Sequence, residues 1–327
     1  MTNLALLCHG FGRRSPPDFM INCSPEQLIM KERVTIRGRT NDGRVRLRRG
    51  EPVSGGHHGR MTESATTSEV VTRLRAAGCV FAEEEARLLI SAAPTATDLA
   101  AMVDRRVAGL PIEQVLGWAE FCGLRVAVDP GVFVPRRRTE FLARQATTLA
   151  QPHAVVLDLC CGSGALGAVM LAAQRAIELY AVDIDPTAVR CARRNLAAIG
   201  GRVYEGDLYQ PLPTTLRGRV DVLVANAPYV PTKEFALLPA EARMHEPRVA
   251  LDGGADGLDV QRRVIDAAPL WLAPWGHLLI ETSERQAPQT VEAFTRNGLI
   301  PRVLSSEEFD STVVSGTWPA ARSGAGD

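Results

Sequence analysis

Short apolar runs alternate with amphipathic stretches from residue 155 to the C-terminal region. The apolar runs predict strands at residues 155–159, 177–182, 203–204, 220–225 and 277–281. Helical periodicity predicts helices between them, through Met170 and Leu171 and then at residues 187–198 and 260–272. This alternation is typical of a mostly parallel α/β sheet. Two further runs, at residues 302–304 and 312–314, predict a terminal hairpin that places one antiparallel strand at the sheet edge.

The chain before this sheet has a different pattern. Ser68 is predicted to cap a helix whose apolar residues, Val70 and Leu74 among them, share one side. Further short helices are predicted at residues 83–90, 97–107 and 111–116. The expected order is a helical bundle at residues 61–117, a linking β-hairpin at 118–135, the α/β domain at 136–320 and a tail at 321–327.

Residues 1–60 lack helical periodicity and are rich in Gly, Arg and Pro. They hold eleven Arg or Lys against five Asp or Glu, whereas the whole chain balances 37 basic against 37 acidic residues. This composition favours a disordered or mis-started basic extension. The alternative interpretation is a basic arm at residues 37–49 that contacts ribosomal RNA or an RNA-bound substrate. The remainder of the chain is net acidic, which argues against nucleic acid as its partner.

Cysteine usage and hydropathy indicate the compartment. The seven cysteines are odd in number and form no C-x-x-C pair, which argues against a disulfide framework and against a zinc site. We therefore expect no metal. No apolar run is long enough to span a bilayer, and residues 1–7 lack the basic region of a signal peptide. These features predict a soluble cytoplasmic protein without membrane contact.

A glycine-rich turn follows the predicted strand at residues 155–159 and precedes a helix. Gly162, Gly164 and Gly167 match the spacing G-x-G-x-x-G, and glycine allows both positive φ and close approach of a ligand. Asp183 ends the next strand, where an acidic residue can hydrogen-bond ribose hydroxyls. The combination predicts a cofactor that contains a nucleoside.

These residues leave the choice of cofactor open. A dinucleotide would place its pyrophosphate at the turn, whereas S-adenosylmethionine has no phosphate and carries an ammonium group. Asp158 lies in the strand before the turn and would repel a pyrophosphate, although it could equally cap nearby backbone N–H groups. Asp207, after the third strand, could accept a hydrogen bond from an adenine amine or could simply form a turn.

A second motif, Asn226-Ala227-Pro228-Tyr229, follows the apolar run at residues 220–225. Ligands bind beyond the carboxyl ends of the strands in sheets of this kind. An Asn side chain accepts through its oxygen and donates through its nitrogen, and Tyr229 adds a flat face. The tetrapeptide therefore indicates a clamp for a planar group that bears NH2. By itself it is also typical of a strand-ending turn with a buried tyrosine.

Together these motifs resemble those of HemK/PrmC-type protein-(glutamine-N5) methyltransferases, which belong to the class I S-adenosylmethionine-dependent enzymes. The resemblance covers residues 69–316 and includes four further segments, at residues 111–117, 120–124, 128–140 and 245–258. It implies a seven-stranded, Rossmann-like methyltransferase domain joined to a helical substrate-recognition bundle. It also implies S-adenosylmethionine as the cofactor and a protein glutamine as the methyl acceptor, with the Gly-Gly-Gln glutamine of a peptide-chain release factor as one candidate.

The resemblance also assigns the site residues. The cofactor would be bound by Asp158, Cys160, Cys161, Gly162, Ser163, Gly164, Asp183, Asp207, Leu208 and Asn226. The substrate amide would be held by Asn226, Ala227, Pro228 and Tyr229, of which Asn226 and Tyr229 are the catalytic residues. No strong general base is evident, and the reaction does not require one because the proton can leave after methylation. We expect a monomer.

Four departures from the family pattern indicate a paralogue of the release factor enzyme. One is that residues 309–314, near the C-terminus, lack the arginine usually found there. Ala227 stands where the family usually has proline, Arg137 and Arg138 replace a usual proline and acid, and two cysteines occupy the glycine turn. Alanine keeps the main-chain carbonyl but loses the fixed φ of proline, so we expect retained chemistry with a less rigid clamp. The paired cysteines are more typical of loop packing than of redox chemistry.

Other function classes share parts of this pattern. A nucleic-acid amino-methyltransferase, acting on adenine N6 or cytosine N4, would use a similar clamp on a flipped base but would need a basic groove. An NAD-dependent oxidoreductase would share the glycine turn and leave the tetrapeptide unexplained. A non-catalytic paralogue that only binds S-adenosylmethionine is motivated by Ala227.

Overall fold

The computed structural model describes residues 58–320, with side chains from residue 66 onward. The predictions for residues 1–57 and for the tail at residues 321–327 lie outside this part of the chain. Within the described residues, no helix is both long enough and apolar enough to cross a membrane.

Four helices come first along the described chain: α1 (His58–Ala76), α2 (Ala82–Ala92), α3 (Ala96–Val107) and α4 (Ile112–Leu116). They pack around a core that includes Leu74, Leu89 and Val103. The prediction that Ser68 caps the first helix is wrong, because Ser68 lies inside α1, where its carbonyl accepts from the Thr72 hydroxyl at 2.8 Å. The residues of α1 before Ser68 carry no apolar stripe, so periodicity detected only its second half.

A short antiparallel hairpin follows, formed by β1 (Trp118–Phe121) and β2 (Leu124–Ala127). Cys122 and Gly123 make its turn with positive φ angles of 49° and 74°. Residues 128–138 then run without helix or strand to the start of the α/β domain. This segment, the 128–138 loop, later forms part of the site.

The large sheet has seven strands: β3 (Val155–Leu159), β4 (Glu178–Asp183), β5 (Arg202–Glu205), β6 (Val220–Ala225), β7 (Leu272–Thr282), β8 (Ile300–Ser306) and β9 (Ser311–Thr317). Its helices are α5 (Thr139–Leu149), α6 (Ala165–Ala173), α7 (Pro186–Leu196), α8 (Ala240–His245), α9 (Asp259–Ala267) and α10 (Ala287–Arg296). The strand order is β5-β4-β3-β6-β7-β9-β8, and β3 to β7 are parallel. The predicted mostly parallel seven-stranded fold is confirmed.

The predicted position of the antiparallel strand is wrong. β9 is antiparallel to both β7 and β8 and lies between them, so the edge strand is β8. After β7 the chain passes through α10 to β8, which lies two positions from β7 in the sheet. β9 then occupies the position between them. Sequence periodicity identified the hairpin, but it contained no signal for which of its strands would pair with β7.

The centre of the sheet determines where the site lies. β3 leads outward to β4 and β5 on one side, while β6 is placed on its other side, so the strand order reverses between β3 and β6. A ligand crevice forms beyond the carboxyl ends of the strands at such a reversal. Leu159 of β3 pairs with Ala225 of β6. The glycine turn and the tetrapeptide therefore leave the sheet side by side.

Candidate active site

A cavity opens beyond the ends of β3, β4 and β5. It is called the first cavity here. Its wall includes eight residues that the sequence assigned to the cofactor: Cys160, Cys161, Gly162, Ser163, Asp183, Asp207, Leu208 and Asn226. Two other assigned residues, Asp158 and Gly164, are not on the wall.

Asp158 lies behind the glycine turn and is fully buried. Its Oδ2 accepts from the backbone N–H of Gly167 at 3.2 Å, whereas Oδ1 has no hydrogen-bond partner among the described residues. Burial raises the pKa of Asp158 to about 7, and the nearby charge of Asp183 acts in the same direction. A cation in the first cavity would favour the charged form of this carboxyl.

Gly164 shapes the turn instead of touching the cavity. Its φ of +78° is in the left-handed region, and a Cβ at this position would lie 2.8 Å from Leu196 Cδ1. A larger residue would therefore be strained twice over, by its backbone and by α7.

Three backbone N–H groups of the glycine turn are already hydrogen-bonded within the protein. Gly162 N–H donates to Asp183 Oδ2 at 2.8 Å, and Cys161 N–H donates to the Val182 carbonyl at 3.0 Å. Gly164 N–H donates to the Cys161 carbonyl at 2.7 Å. A pyrophosphate site would need such groups free to bind its oxygens. These three N–H groups are therefore not available to the phosphates of a dinucleotide.

The charges on the wall also disfavour an anion. Asp183, Asp185 and Asp207 all line the first cavity. The only basic residue on this wall in the described chain is Arg263, and its guanidinium pairs with Asp207 at 2.6 Å. An acidic wall with its one arginine paired suits a ligand that carries sulfonium and ammonium groups. The residues thus fit S-adenosylmethionine and resolve the choice that the sequence left open.

The two cysteines of the turn are not activated. Burial raises the pKa of both thiols well above the ordinary range, and the neighbouring carboxylates Asp158 and Asp183 raise it further. Both therefore remain neutral thiols, which are poor nucleophiles. Cys161 is buried in the core cluster that contains Leu166 and Leu196.

A second cavity adjoins the first one. All four residues of the tetrapeptide line it, and so do Arg138 and Glu281. Four residues belong to the walls of both cavities: Phe133, Asn226, Pro228 and Ala250. Asn226 therefore stands where the two cavities meet.

The polar side chains of the tetrapeptide are held by residues far away in sequence. Asn226 Nδ2 donates to Thr139 Oγ1 at 3.3 Å. The Tyr229 hydroxyl donates to Glu281 Oε1 at 3.3 Å and accepts from Arg138 at 3.4 Å. Burial, followed by the nearby charge of Glu281, raises the pKa of Tyr229 to about 12. The phenol therefore stays protonated at neutral pH.

Glu281 was not identified from the sequence as a site residue. It lies near the end of β7, is 1% exposed, and has an oxygen, Oε2, without a hydrogen-bond partner among the described residues. Burial raises its pKa above the ordinary value. The available signal was an acid at the end of the apolar run 278–280, which in a parallel sheet predicts a place beside the tetrapeptide.

The segment 251–257 supports the tetrapeptide from behind. Val230 N–H donates to the Leu251 carbonyl at 3.0 Å, and Gly253 N–H donates to the Val230 carbonyl at 2.9 Å. A Cβ on Gly257 would lie 2.3 Å from the Tyr229 carbonyl oxygen. Close packing therefore explains the glycines of this segment. From the sequence they were included only as part of the family resemblance and were assigned no role.

The 128–138 loop covers the site from the other side. Glu246 accepts from Val134 N–H at 3.1 Å and pairs with Arg136 at 2.6 Å. Gln114, in α4, donates to the Val132 carbonyl at 3.0 Å. The helical bundle is thus tied directly to the wall of both cavities. Other residues on the wall of the first cavity were not assigned from the sequence, among them Phe121, Phe133, Pro135 and Arg263.

Known proteins share this sequence pattern. Residues 123–255 match the family model of the methyltransferase small domain. The chain is 39% identical over 199 residues to the release factor glutamine methyltransferase of Geobacter sulfurreducens, which covers 60% of this chain and 69% of that relative. It is 37% identical over 231 residues to the enzyme of the same name from Mycolicibacterium smegmatis, covering 69% of this chain and 82% of the relative.

A third relative extends the match to nearly its whole length. The release factor glutamine methyltransferase of Cereibacter sphaeroides is 34% identical over 275 residues, which is 77% of this chain and 96% of the relative. Identity at this level over most of both chains agrees with the order of the motifs and with the two adjoining cavities. The chain belongs to the family of release factor glutamine methyltransferases.

Proposed function

We propose that this protein transfers a methyl group from S-adenosylmethionine to the side-chain amide nitrogen, N5, of a glutamine in another protein. The observation that supports this most directly is the place of Asn226, at the junction of an acidic cavity that fits the cofactor and a second cavity lined by the tetrapeptide. A clamp for a planar amide at such a junction can present the nitrogen to a bound methyl donor.

The residues of the first cavity would hold the cofactor. Asp183 already orders the glycine turn through Gly162 and has unused acceptor capacity for ribose hydroxyls. Asp207 and Leu208 would face the adenine. S-adenosylmethionine supplies a methyl group on a positively charged sulfur, which is a good leaving group. Asp158, behind the turn, would contribute through its charge and not through direct contact.

The tetrapeptide would orient the acceptor. An amide nitrogen is a poor nucleophile because its lone pair is delocalised into the carbonyl. Asn226 Oδ1 and the backbone carbonyl of Ala227 would accept its two hydrogens, which aims the nitrogen at the first cavity and increases its electron density. Positioning of this kind can supply roughly 7–11 kcal/mol in favourable cases. Tyr229, held by Glu281 and Arg138, would pack against the amide plane.

The protein substrate that we propose is a peptide-chain release factor, through the glutamine of its Gly-Gly-Gln sequence. The names of the relatives support this choice. The acceptor cavity, which would receive the glutamine side chain, is bordered by the 128–138 loop and by α8.

The test is to incubate the purified protein with isotope-labelled S-adenosylmethionine and a purified release factor, and then to map the label by mass spectrometry. We expect the mass of one added CH2 on the Gly-Gly-Gln glutamine and none when that glutamine is replaced by asparagine. Whole lysate and DNA and RNA oligonucleotides serve as parallel substrates. Label on oligonucleotides alone would favour the nucleic-acid alternative, and absence of any label with intact cofactor binding would favour the non-catalytic one.

A further inference from the structure

Three polar side chains from distant parts of the chain come together at the tetrapeptide. They are Asn226, which belongs to the tetrapeptide, Thr139 and Glu281. Ala225 of β6 pairs with Ile280 of β7, so the next residues, Asn226 just after β6 and Glu281 near the end of β7, lie side by side. Thr139, the first residue of α5, contacts Asn226 through its hydroxyl. Glu281 is 1% exposed and Thr139 is 4% exposed. Because bulk water is largely excluded here, these groups must satisfy one another.

The chemistry of these groups fixes the direction of their hydrogen bonds. An ionised carboxylate only accepts, and a hydroxyl has a single hydrogen to donate. The Tyr229 hydroxyl donates to Glu281 Oε1 at 3.3 Å. The Thr139 hydroxyl is the other one beside the Glu281 carboxyl and favours its charged form, although the described residues show no direct hydrogen bond between these two side chains. Oε2, which has no partner among the described residues, leaves acceptor capacity available for Thr139.

Once the hydrogen of Thr139 is directed to Glu281, Thr139 can only accept from Asn226. This is the arrangement in the structure, where Asn226 Nδ2 faces Thr139 Oγ1 at 3.3 Å. The carbonyl oxygen of the Asn226 amide must then point the other way, away from Thr139. If the Asn226 amide were reversed, its NH2 group would face the NH2 group of the substrate glutamine. Two donors cannot form a hydrogen bond with each other.

We propose that Glu281 is a positioning residue for methyl transfer: by accepting from Thr139 and Tyr229, it turns the Asn226 oxygen toward the substrate amide. This inference rests on the proposed function, since it concerns the same acceptor site. Glu281 is not on the wall of the first cavity, and in this proposal it acts through Thr139, Asn226 and Tyr229.

The groups that face Glu281 are few within the described chain. Tyr229 and Thr139 supply hydroxyls, and Arg138 supplies a nearby positive charge. The other charged residues on the wall of the second cavity have partners elsewhere, since Arg136 pairs with Glu246 and Glu241 pairs with Arg106 of α3. The state of the Glu281 carboxyl therefore depends mainly on its own burial and on these three neighbours.

The experiment compares steady-state methylation of the protein that the wild-type enzyme labels on glutamine. Glu281→Gln keeps the shape of the side chain, but its amide would donate to Thr139 and so reverse the relay. We expect kcat/KM for the protein substrate to fall roughly tenfold or more, as for loss of one well-placed hydrogen bond. The Kd for S-adenosylmethionine, measured by calorimetry, should change less than about twofold because Glu281 is outside the first cavity.

Further variants and a pH profile separate a positioning role of Glu281 from an effect on general stability. Thr139→Ser retains the hydroxyl and should keep activity, whereas Thr139→Val should match the loss in Glu281→Gln. Thr282→Val removes a neighbouring buried hydroxyl, which contacts Thr290 and not the relay, and should leave activity near wild type. In the pH profile of kcat/KM, the wild-type acid limb should be displaced or lost in Glu281→Gln.

The outcomes are distinct. A Glu281→Gln enzyme with wild-type kcat/KM and an unchanged acid limb would overturn the positioning role while the proposed function stands. Equal losses in Thr139→Ser and Thr139→Val would also overturn it, since the hydroxyl would then be irrelevant. A wild-type protein that labels no protein glutamine would refute the proposed function and this inference with it.

Discussion

The two cavities that meet at Asn226 are built in different ways. The polar wall of the first comes mainly from turns that directly follow β3, β4 and β5, and its hydrogen bonds join neighbouring turns, as Gly162 and Asp183 do. The second takes its polar groups mainly from the tetrapeptide, from Arg138 in the 128–138 loop and from Glu281 on β7. Thr139 on α5 belongs to the wall of the first cavity and contacts Asn226 where the two cavities meet. The cofactor side is therefore encoded locally, whereas the acceptor side exists only after distant elements have packed.

The two sides also treat their carboxylates differently. Asp183 accepts backbone hydrogen bonds from Gly162 and Asp185 and still borders the cavity, where it can bind a ligand. Glu281 is buried behind the clamp and accepts from a side-chain hydroxyl. One acid can contact its ligand directly, while the other sets the direction of groups that do. Substitutions on the two sides should therefore separate cofactor binding from acceptor turnover.

The largest effect is expected from Asn226→Ala. It removes the side-chain acceptor that aims the substrate nitrogen, so turnover should fall about 100-fold or more. The Kd for S-adenosylmethionine should rise only modestly, since Asn226 is one wall residue among many. Asp183→Ala is the matched change on the cofactor side and should weaken cofactor binding first. Similar losses of cofactor affinity in both variants would break the distinction between the two sides.

Gly257→Ala should be the next most damaging change. Its φ is +85°, and the new Cβ would lie 2.3 Å from the Tyr229 carbonyl oxygen, so the clamp must move or the chain must strain. We expect a loss of unfolding free energy on the order of 2–3 kcal/mol, measured by urea denaturation, together with reduced turnover.

Gly218→Ala is the control for that experiment. Its φ is +70°, but no described atom beyond Gly218 and its two chain neighbours lies within 4 Å of the place that the new methyl group would take, so it carries the backbone cost alone. That cost is about 1–2 kcal/mol. If both alanine variants lost the same stability and both kept full turnover, contact with the tetrapeptide would have no role.

Asp158→Asn tests the buried acid behind the first cavity through the pH dependence of stability. The pKa of Asp158 is raised from 3.8 to about 7 in the folded protein. Ionisation therefore disfavours folding: the stability associated with the neutral carboxyl is complete below pH 3.8 and is lost as pH rises through about 7.

The asparagine variant cannot ionise and should escape this loss. Measured without cofactor, its unfolding free energy relative to wild type should increase by on the order of 2 kcal/mol between pH 5 and pH 8. The same difference at both pH values would show that Asp158 keeps an ordinary pKa. The buried amide nitrogen that the variant introduces shifts both values equally and does not affect the comparison.

The smallest effect is expected from Ala227→Pro. Ala227 is 1% exposed and contributes its backbone carbonyl to the proposed clamp, which proline keeps. Proline would restrict Asn226 and the chain itself, so we expect stability to rise by about 0.4–1 kcal/mol with turnover unchanged or slightly higher. Lower turnover in a folded variant would contradict the view that alanine merely leaves the clamp less rigid.

Much of this arrangement was predictable from local patterns. The strand runs, the glycine turn and the tetrapeptide depend on period-2 alternation and on the backbone preferences of glycine and proline, which act within a few residues. Parallel strands then bring their carboxyl ends to one edge, so Asp183 and Asn226 were expected near the same crevice. The structure places both on the wall of the first cavity.

Other features depended on contacts that no local pattern carries. Hairpin periodicity did not show that β9 pairs with β7, and the polar start of α1 made Ser68 resemble a cap. Asp158 was expected to contact the cofactor. It is instead fully buried in β3 behind the glycine turn, where it accepts from Gly167 N–H.

The sequence by itself determined the fold class, the cofactor turn and the residues of the clamp, because each is a property of consecutive residues. Only the tertiary structure decided how the clamp is held. Thr139 and Glu281 are separated by more than a hundred residues, and they meet at Asn226 because α5 packs beside the ends of β6 and β7. The direction of the hydrogen bond between Asn226 and Thr139 depends on the residues that packing brings beside them. The order of residues along the chain does not specify it.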